Sequence, residues 1–162
     1  MGKDFVGLIL LVTLSVLHGQ ASRGSSFGMI LMRWPGVLLH EVAHLLLSAI
    51  TFSKPTSFTI WPRREGNVWI LGCVTSANIG MFSAMLVGFA PAIVGLPLAW
   101  MALQAHSILG YVGVFVCLTA SVPSEADIEV AFSHLFGSVV WAAVGITAWA
   151  QFGNLGELLT LF

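Results

Sequence analysis

The sequence predicts an all-α polytopic membrane protein of about five transmembrane helices, or six, with a small β-hairpin after the second helix. Three observations lead there. Hydrophobic residues make up 57% of the 162 residues and charged residues only 8%. A soluble domain carries about 25% charge, and so little charge solvates a surface only where lipid covers most of it. The apolar residues also fall into segments near the length that crosses a bilayer as a helix, about 20 residues. Between them, about 56–74 has the composition of strands and a turn. No repeat or low-complexity linker divides the chain, so residues 1–162 read as one membrane-embedded domain.

The first apolar segment runs from about Lys3 to Gly19. Gly19-Gln20-Ala21 would also suit the end of a secretory signal. Asp4 offsets the charge of Lys3, however, and more apolar segments follow, so this reads as an uncleaved first span. After a polar break over Gln20 to Ser26, which contains Arg23, the second segment covers about Gly28 to Phe52, with Pro35 in its early turns. Phe58-Thr59-Ile60-Trp61 and Val68-Trp69-Ile70-Leu71 are rich in strand formers, and Pro62 to Asn67 supplies turn residues, which gives the hairpin. Ser76 to Gln104 is apolar but interrupted by Pro91 and Pro97. It is either one kinked helix or two short helices meeting near Pro91. Ser107 to Ala120 is short for a crossing, Ser121 to Asp127 interrupts, and a last helix is expected over about Ile128 to Ala150, followed by a Leu-rich tail to Phe162.

Charge gives orientation and excludes one class of partner. If the first two segments cross, Lys3, Lys54, Arg63 and Arg64 share one side and Arg23 and Arg33 the other, so the positive excess places the N-terminus in the cytoplasm of a multi-pass protein. The net charge of −1 leaves no basic stripe for nucleic acid. Cys73 and Cys117 stand in apolar surroundings and read as small buried hydrophobes. Two distant cysteines define no disulfide.

His40-Glu41-Val42-Ala43-His44 carries the chemistry. Residues i and i+4 share a helix face, with Cβ atoms about 5–6 Å apart, so the two imidazoles can converge on one metal ion. Zinc accepts such nitrogens at about 2.0–2.1 Å. Glu41 follows the first ligand and fits the role of general base towards an attacking water. The flanks are Val37-Leu38-Leu39 and Leu45-Leu46-Leu47. A carboxylate in such a setting costs about 2.5–3.5 kcal/mol on insertion scales, which no packing role requires.

A catalytic zinc site takes a third protein ligand and keeps one position open. Asp127 is the favoured third ligand, because it lies in the polar break between two apolar segments. Glu125 and Glu129 are the alternatives. Ser124 with Asp127 three residues later also fits a helix cap, and the two roles are compatible. His18, His106 and His134 read as interfacial or hydrogen-bonding residues. Asn78 is a candidate for contact with substrate or an oxyanion.

With these residues in place the chain resembles the site-two protease type of intramembrane zinc metalloprotease. The resemblance rests on His40-Glu41-Val42-Ala43-His44 in an apolar helix, a hairpin after it, and a distal Pro123-x-x-x-Asp127. It implies that His40, His44 and Asp127 hold one zinc ion per chain, that Glu41 is the base, and that the hairpin presents an extended substrate. Ala126-Asp127-Ile128 stands where that family has Leu-Asp-Gly, and only the proline of its Asn-x-x-Pro is present. The expected function is a metalloendopeptidase that hydrolyses peptide bonds in or near membrane segments of a membrane-anchored substrate. The alternative is a catalytically inactive membrane protein that keeps the fold for binding or regulation. A di-iron desaturase or hydroxylase would need more histidines than the five present. One topological question is open at this stage. If Ser76 to Gln104 crosses once, Asp127 emerges opposite the start of the His40–His44 helix, whereas a hairpin there restores the parity.

Overall fold

Apolar runs cut by proline and small polar residues give a mainly helical chain. A computed structural model describes residues 2–21, 26–66 and 68–159. Its helices are α1 (Gly2–Ala21), α2 (Ser26–Ile50), α3 (Ser83–Gly88), α4 (Ala90–Leu103), α5 (Ile108–Ala120), α6 (Glu125–Phe132) and α7 (Leu135–Leu159). Between α2 and α3 lie the strands β1 (Pro55–Thr59), β2 (Arg63–Glu65), β3 (Val68–Ile70) and β4 (Cys73–Ser76).

Helix α2 is the centre of the arrangement and packs against α1, α3, α4 and α5. Gly36, Ala43, His44 and Ser48 are buried, a spacing near the helical repeat that defines one inward stripe. Leu31, Val42, Leu46 and Ile50 are exposed on the other side. Helices α4 and α5 form an antiparallel pair. Ser107 caps α5, its hydroxyl accepting the Gly110 N–H at 3.0 Å. Helix α5 stops at Ala120, ahead of Pro123, and α6 starts from Ser124.

Two close approaches seat the remaining elements. At Gly88 in α3, a Cβ would run into the Asp127 carbonyl and come within 2.6 Å of Ala131 Cβ, so only glycine lets α6 lie this near. Helix α7 is tied by the Trp141 indole, which donates to the Phe82 carbonyl at 2.8 Å.

The segment read as a hairpin holds two antiparallel ladders. β1 pairs with β4, with Phe58 opposite Val74 and an irregularity between Pro55 and Ser57. β2 pairs with β3, with Arg64 opposite Trp69. The outer ladder is held to α2 at both ends. The Trp34 indole donates to Ile60 O at 3.0 Å, and the Ser76 hydroxyl donates to Ser48 Oγ at 3.0 Å.

Five or six transmembrane helices do not stand. Among the described residues only Ile30–Ile50, within α2, is long and apolar enough to cross a membrane. α5 and α6 would pass only if counted together as one broken span, and they are bent by 59°. The other apolar stretches, Asp4–Gln20, Ala90–Leu103 and Leu135–Gln151, are shorter. The 14 residues of α4 rise about 21 Å against a hydrocarbon core of about 30 Å. Helix breaks are the physical reason. Ser76 to Gln104 becomes a loop, the single turn and a half of α3, and α4, with the last two meeting at Phe89. The expected last helix over Ile128 to Ala150 is divided between α6 and α7 at Ser133-His134. Arg23, which entered the orientation argument, Asn67 of the predicted turn and the last residues of the tail, 160–162, lie outside the described residues.

Candidate metal centre

His40 and His44 project from the same face of α2, one turn apart. Their ring centroids are 4.8 Å apart at an interplanar angle of 66°, and their Nε2 atoms are separated by 3.2 Å. Each ring is held from behind. His40 Nδ1 lies 2.9 Å from the Ala120 carbonyl, and His44 Nδ1 lies 2.9 Å from the Val87 carbonyl. A carbonyl only accepts, so each Nδ1 carries the hydrogen and donates it. In the neutral rings the Nε2 lone pairs then point at one another.

Asp127 completes the group from the first turn of α6. Its Oδ2 is 3.2 Å from His40 Nε2 and its Oδ1 is 3.0 Å from His44 Nε2. The same carboxylate belongs to a capping box, accepting the Ser124 N–H at 2.6 Å, while the Ser124 hydroxyl accepts the Asp127 N–H at 3.2 Å. The cap fixes the start of α6, and with the close contact at Gly88 it aims Asp127 at α2.

The three side chains form a group able to hold a metal ion. Two ring nitrogens and a carboxylate converge here, and a shared cation would satisfy all three. Ligands about 2.0–2.1 Å from a tetrahedral zinc lie about 3.3 Å from each other, close to the spacings observed. The Nδ1–H bonds to backbone carbonyls are the outer partners that metal-bound histidines use. The residues fit zinc.

Glu41 lies beside this group on the wall of a cavity of about 780 Å³, within the range of about 300–1,000 Å³ usual for ligand sites. His40, His44 and Asp127 line one part of it, and Gly72, Val74 and Ser76 of the strand segment another. The backbone of Val74 lies against the Glu41 carboxylate. At Gly72 a Cβ would come within 2.6 Å of Glu41 Cγ and 3.0 Å of Val37 Cγ1, so the chain before β4 passes in direct contact with the candidate base.

The other residues singled out in the sequence fall in different places. Asn78 is exposed and is not among the cavity-lining residues; its backbone N–H donates to Ser53 O at 3.1 Å. Glu125 and Glu129 are exposed, and of the three acidic candidates only Asp127 turns inward. His134 is exposed at the α6–α7 break. His18 lines the cavity and packs edge-on against Phe115, centroids 5.7 Å apart. Cys73 lines the cavity and Cys117 is buried; both are free thiols. His106 meets Asp4 of α1, Nδ1 to Oδ1 3.0 Å, and the Tyr111 hydroxyl donates to the same oxygen at 2.9 Å. These partners, His106 first, hold the Asp4 carboxyl below its ordinary value.

Sequence reading missed the Val87 and Ala120 carbonyls and Gly72. The carbonyls belong to the backbone and leave no mark in residue type. Gly72 had one signal, as a glycine between two strand-forming runs, which marks a bulge or a close approach. Comparisons of the chain with family models, curated proteins and solved structures find no match.

Proposed function

We propose that this chain is a zinc metalloendopeptidase of the site-two protease type, acting on peptide bonds in or beside the membrane. The observation that supports it most is the convergence of His40, His44 and Asp127, with Glu41 next to the first histidine on the same cavity. His40 and His44 through Nε2, and Asp127 through its carboxylate, would hold the zinc. When bound, zinc supplies a Lewis acid for the scissile carbonyl and makes water acidic enough to attack at neutral pH. Glu41 takes the proton from the attacking water and returns it to the leaving nitrogen, so that water adds across the C–N bond and an acid and an amine result.

The strand segment suits an extended substrate. Among the described residues β4 pairs only with β1, which leaves it an open edge for one more strand. A helical substrate hides its carbonyls in its own hydrogen bonds, so strand addition would also expose the bond to be cut. The membrane part of the reading rests on α2, whose apolar stretch Ile30–Ile50 carries the motif. It rests too on apolar side chains exposed on other helices, such as Leu8, Trp100, Leu109 and Trp149, which lipid would cover.

The test is cleavage of membrane-anchored peptides in proteoliposomes by wild type and Glu41→Gln. Wild type is expected to cut and to stop on zinc chelation, while Glu41→Gln retains zinc and does not cut. Zinc-loaded wild type that cuts no peptide across a broad set of anchored sequences, with the biological role unaltered by Glu41→Gln, would favour the inactive binding protein instead.

A further inference from the structure

In a continuous helix the carbonyl of residue i accepts from the N–H of residue i+4. Val87 lies in the last turn of α3, which breaks at Phe89, and the residue four positions on is Pro91, the second of α4, which has no N–H. The carbonyl so released is the one that holds His44 Nδ1 at 2.9 Å. Ala120 is released by a different route. Its i+4 donor, the Ser124 N–H, goes to Asp127 Oδ2, and its i+3 neighbour is Pro123. That carbonyl holds His40 Nδ1 at 2.9 Å. Two histidines one turn apart are therefore anchored by two carbonyls from different helices, each deprived of its helical donor.

A proline in the first turn of a helix is common, because its missing N–H costs no hydrogen bond there. Pro91 is the second residue of α4, and helix initiation alone would explain it. Helix initiation does not explain where the released carbonyl points. It meets the ring of His44, which is only 7% exposed, and Pro91 is itself fully buried. An N–H at position 91 would compete for the one acceptor that His44 Nδ1 uses. Loss of that acceptor frees the ring to rotate and to change tautomer, so that Nε2 is no longer held towards His40 and Asp127.

We propose that Pro91 is a positioning residue for the metal centre: it withholds an N–H from the Val87 carbonyl and so reserves that carbonyl for His44 Nδ1, which sets the affinity for zinc. Pro123, with the Ser124–Asp127 cap, serves His40 in the same way. This rests on the zinc reading above and adds a role for a residue that touches neither metal nor substrate.

The experiment is competition for zinc between the full-length protein in detergent and a chromophoric chelator. Pro91→Ala restores the N–H and is expected to weaken zinc binding about 10-fold to 100-fold, the usual cost of losing an outer partner of a metal-bound histidine. Two controls isolate the cause. Pro97→Ala makes the same change in the same helix and should leave affinity unchanged. Lactic acid at position 91, which has the alanine side chain and no N–H, should also bind as wild type does. Wild-type zinc binding together with equal affinity in Pro91→Ala would overturn the role of the proline and leave the zinc reading intact; no zinc in wild type would overturn both. Where Pro91→Ala does not fold, nitrogen-15 spectra of the histidines in zinc-loaded wild type decide. A protected Nδ1–H on His44 with Nε2 on the metal supports the proposal, and Nδ1 on the metal overturns it.

Discussion

Ser124 and Asp127 exchange two hydrogen bonds, N–H to Oδ2 at 2.6 Å and N–H to Oγ at 3.2 Å, while the same aspartate reaches both histidines of α2. One local motif thereby starts a helix and delivers a metal-binding group. Breaking the cap should show in both properties. Ser124→Ala is expected to cost about 1 kcal/mol of stability and to weaken zinc binding as well, because the α6 start that holds Asp127 loosens. Thermal unfolding and chelator competition on the same sample check this; a stability loss with unchanged zinc affinity would separate the two roles.

Glu41→Gln keeps the size of the side chain and removes its capacity to take a proton. Peptide cleavage should fall by about 10²–10⁴-fold, with metal content unchanged. Loss of zinc in this variant would instead make Glu41 part of the binding group.

Gly72 and Gly88 make two different contacts, and their alanine variants should differ. Gly72→Ala places a methyl group against Glu41, so the expected result is slower cleavage at unchanged zinc content. Gly88→Ala forces α3 and α6 apart at Asp127 and Ala131, and overpacking of this kind costs about 1–3 kcal/mol. Its expected signature is a lower melting temperature together with weaker zinc binding.

At the far end of α1, Asp4 offers a pH-dependent check outside the Ile30–Ile50 span. Its carboxyl is held below the ordinary value of 3.8, first by His106 and then by Tyr111. A carboxyl depressed in the folded state adds to stability above its unfolded value and loses that contribution as pH falls through the folded one. In a carbon-13 titration His106→Ala should raise the Asp4 midpoint more than Tyr111→Phe does. An equal or reversed order would contradict the assignment of the stronger partner.

The metal group was legible in the sequence because its chemistry is local. His40 and His44 stand at helical spacing, and Asp127 stands in a gap between apolar runs, where a carboxylate is conspicuous. The acidic neighbours could not be ranked from sequence, since the rotation of α6 follows from the Ser124 cap and the Gly88 contact together. The number of crossings is not legible for a related reason. Apolar runs alone suggest spans, but the runs are cut at Phe89, between Ala120 and Glu125, and at Ser133-His134. Those same breaks bring the start of α6, with Asp127, beside His40 and His44 of α2. Asn78 stands out by its polarity near an apolar segment, a property that carries no direction, and in the structure it is exposed and not among the cavity-lining residues.

The most direct test is the zinc content of protein purified without added metal, measured by elemental analysis for wild type and for His44→Ala and Asp127→Ala. One zinc ion per chain in wild type, with little or none in either variant, is the expected result. Wild type that is folded and takes up no zinc even when it is supplied would contradict the assignment of His40, His44 and Asp127 as a metal centre.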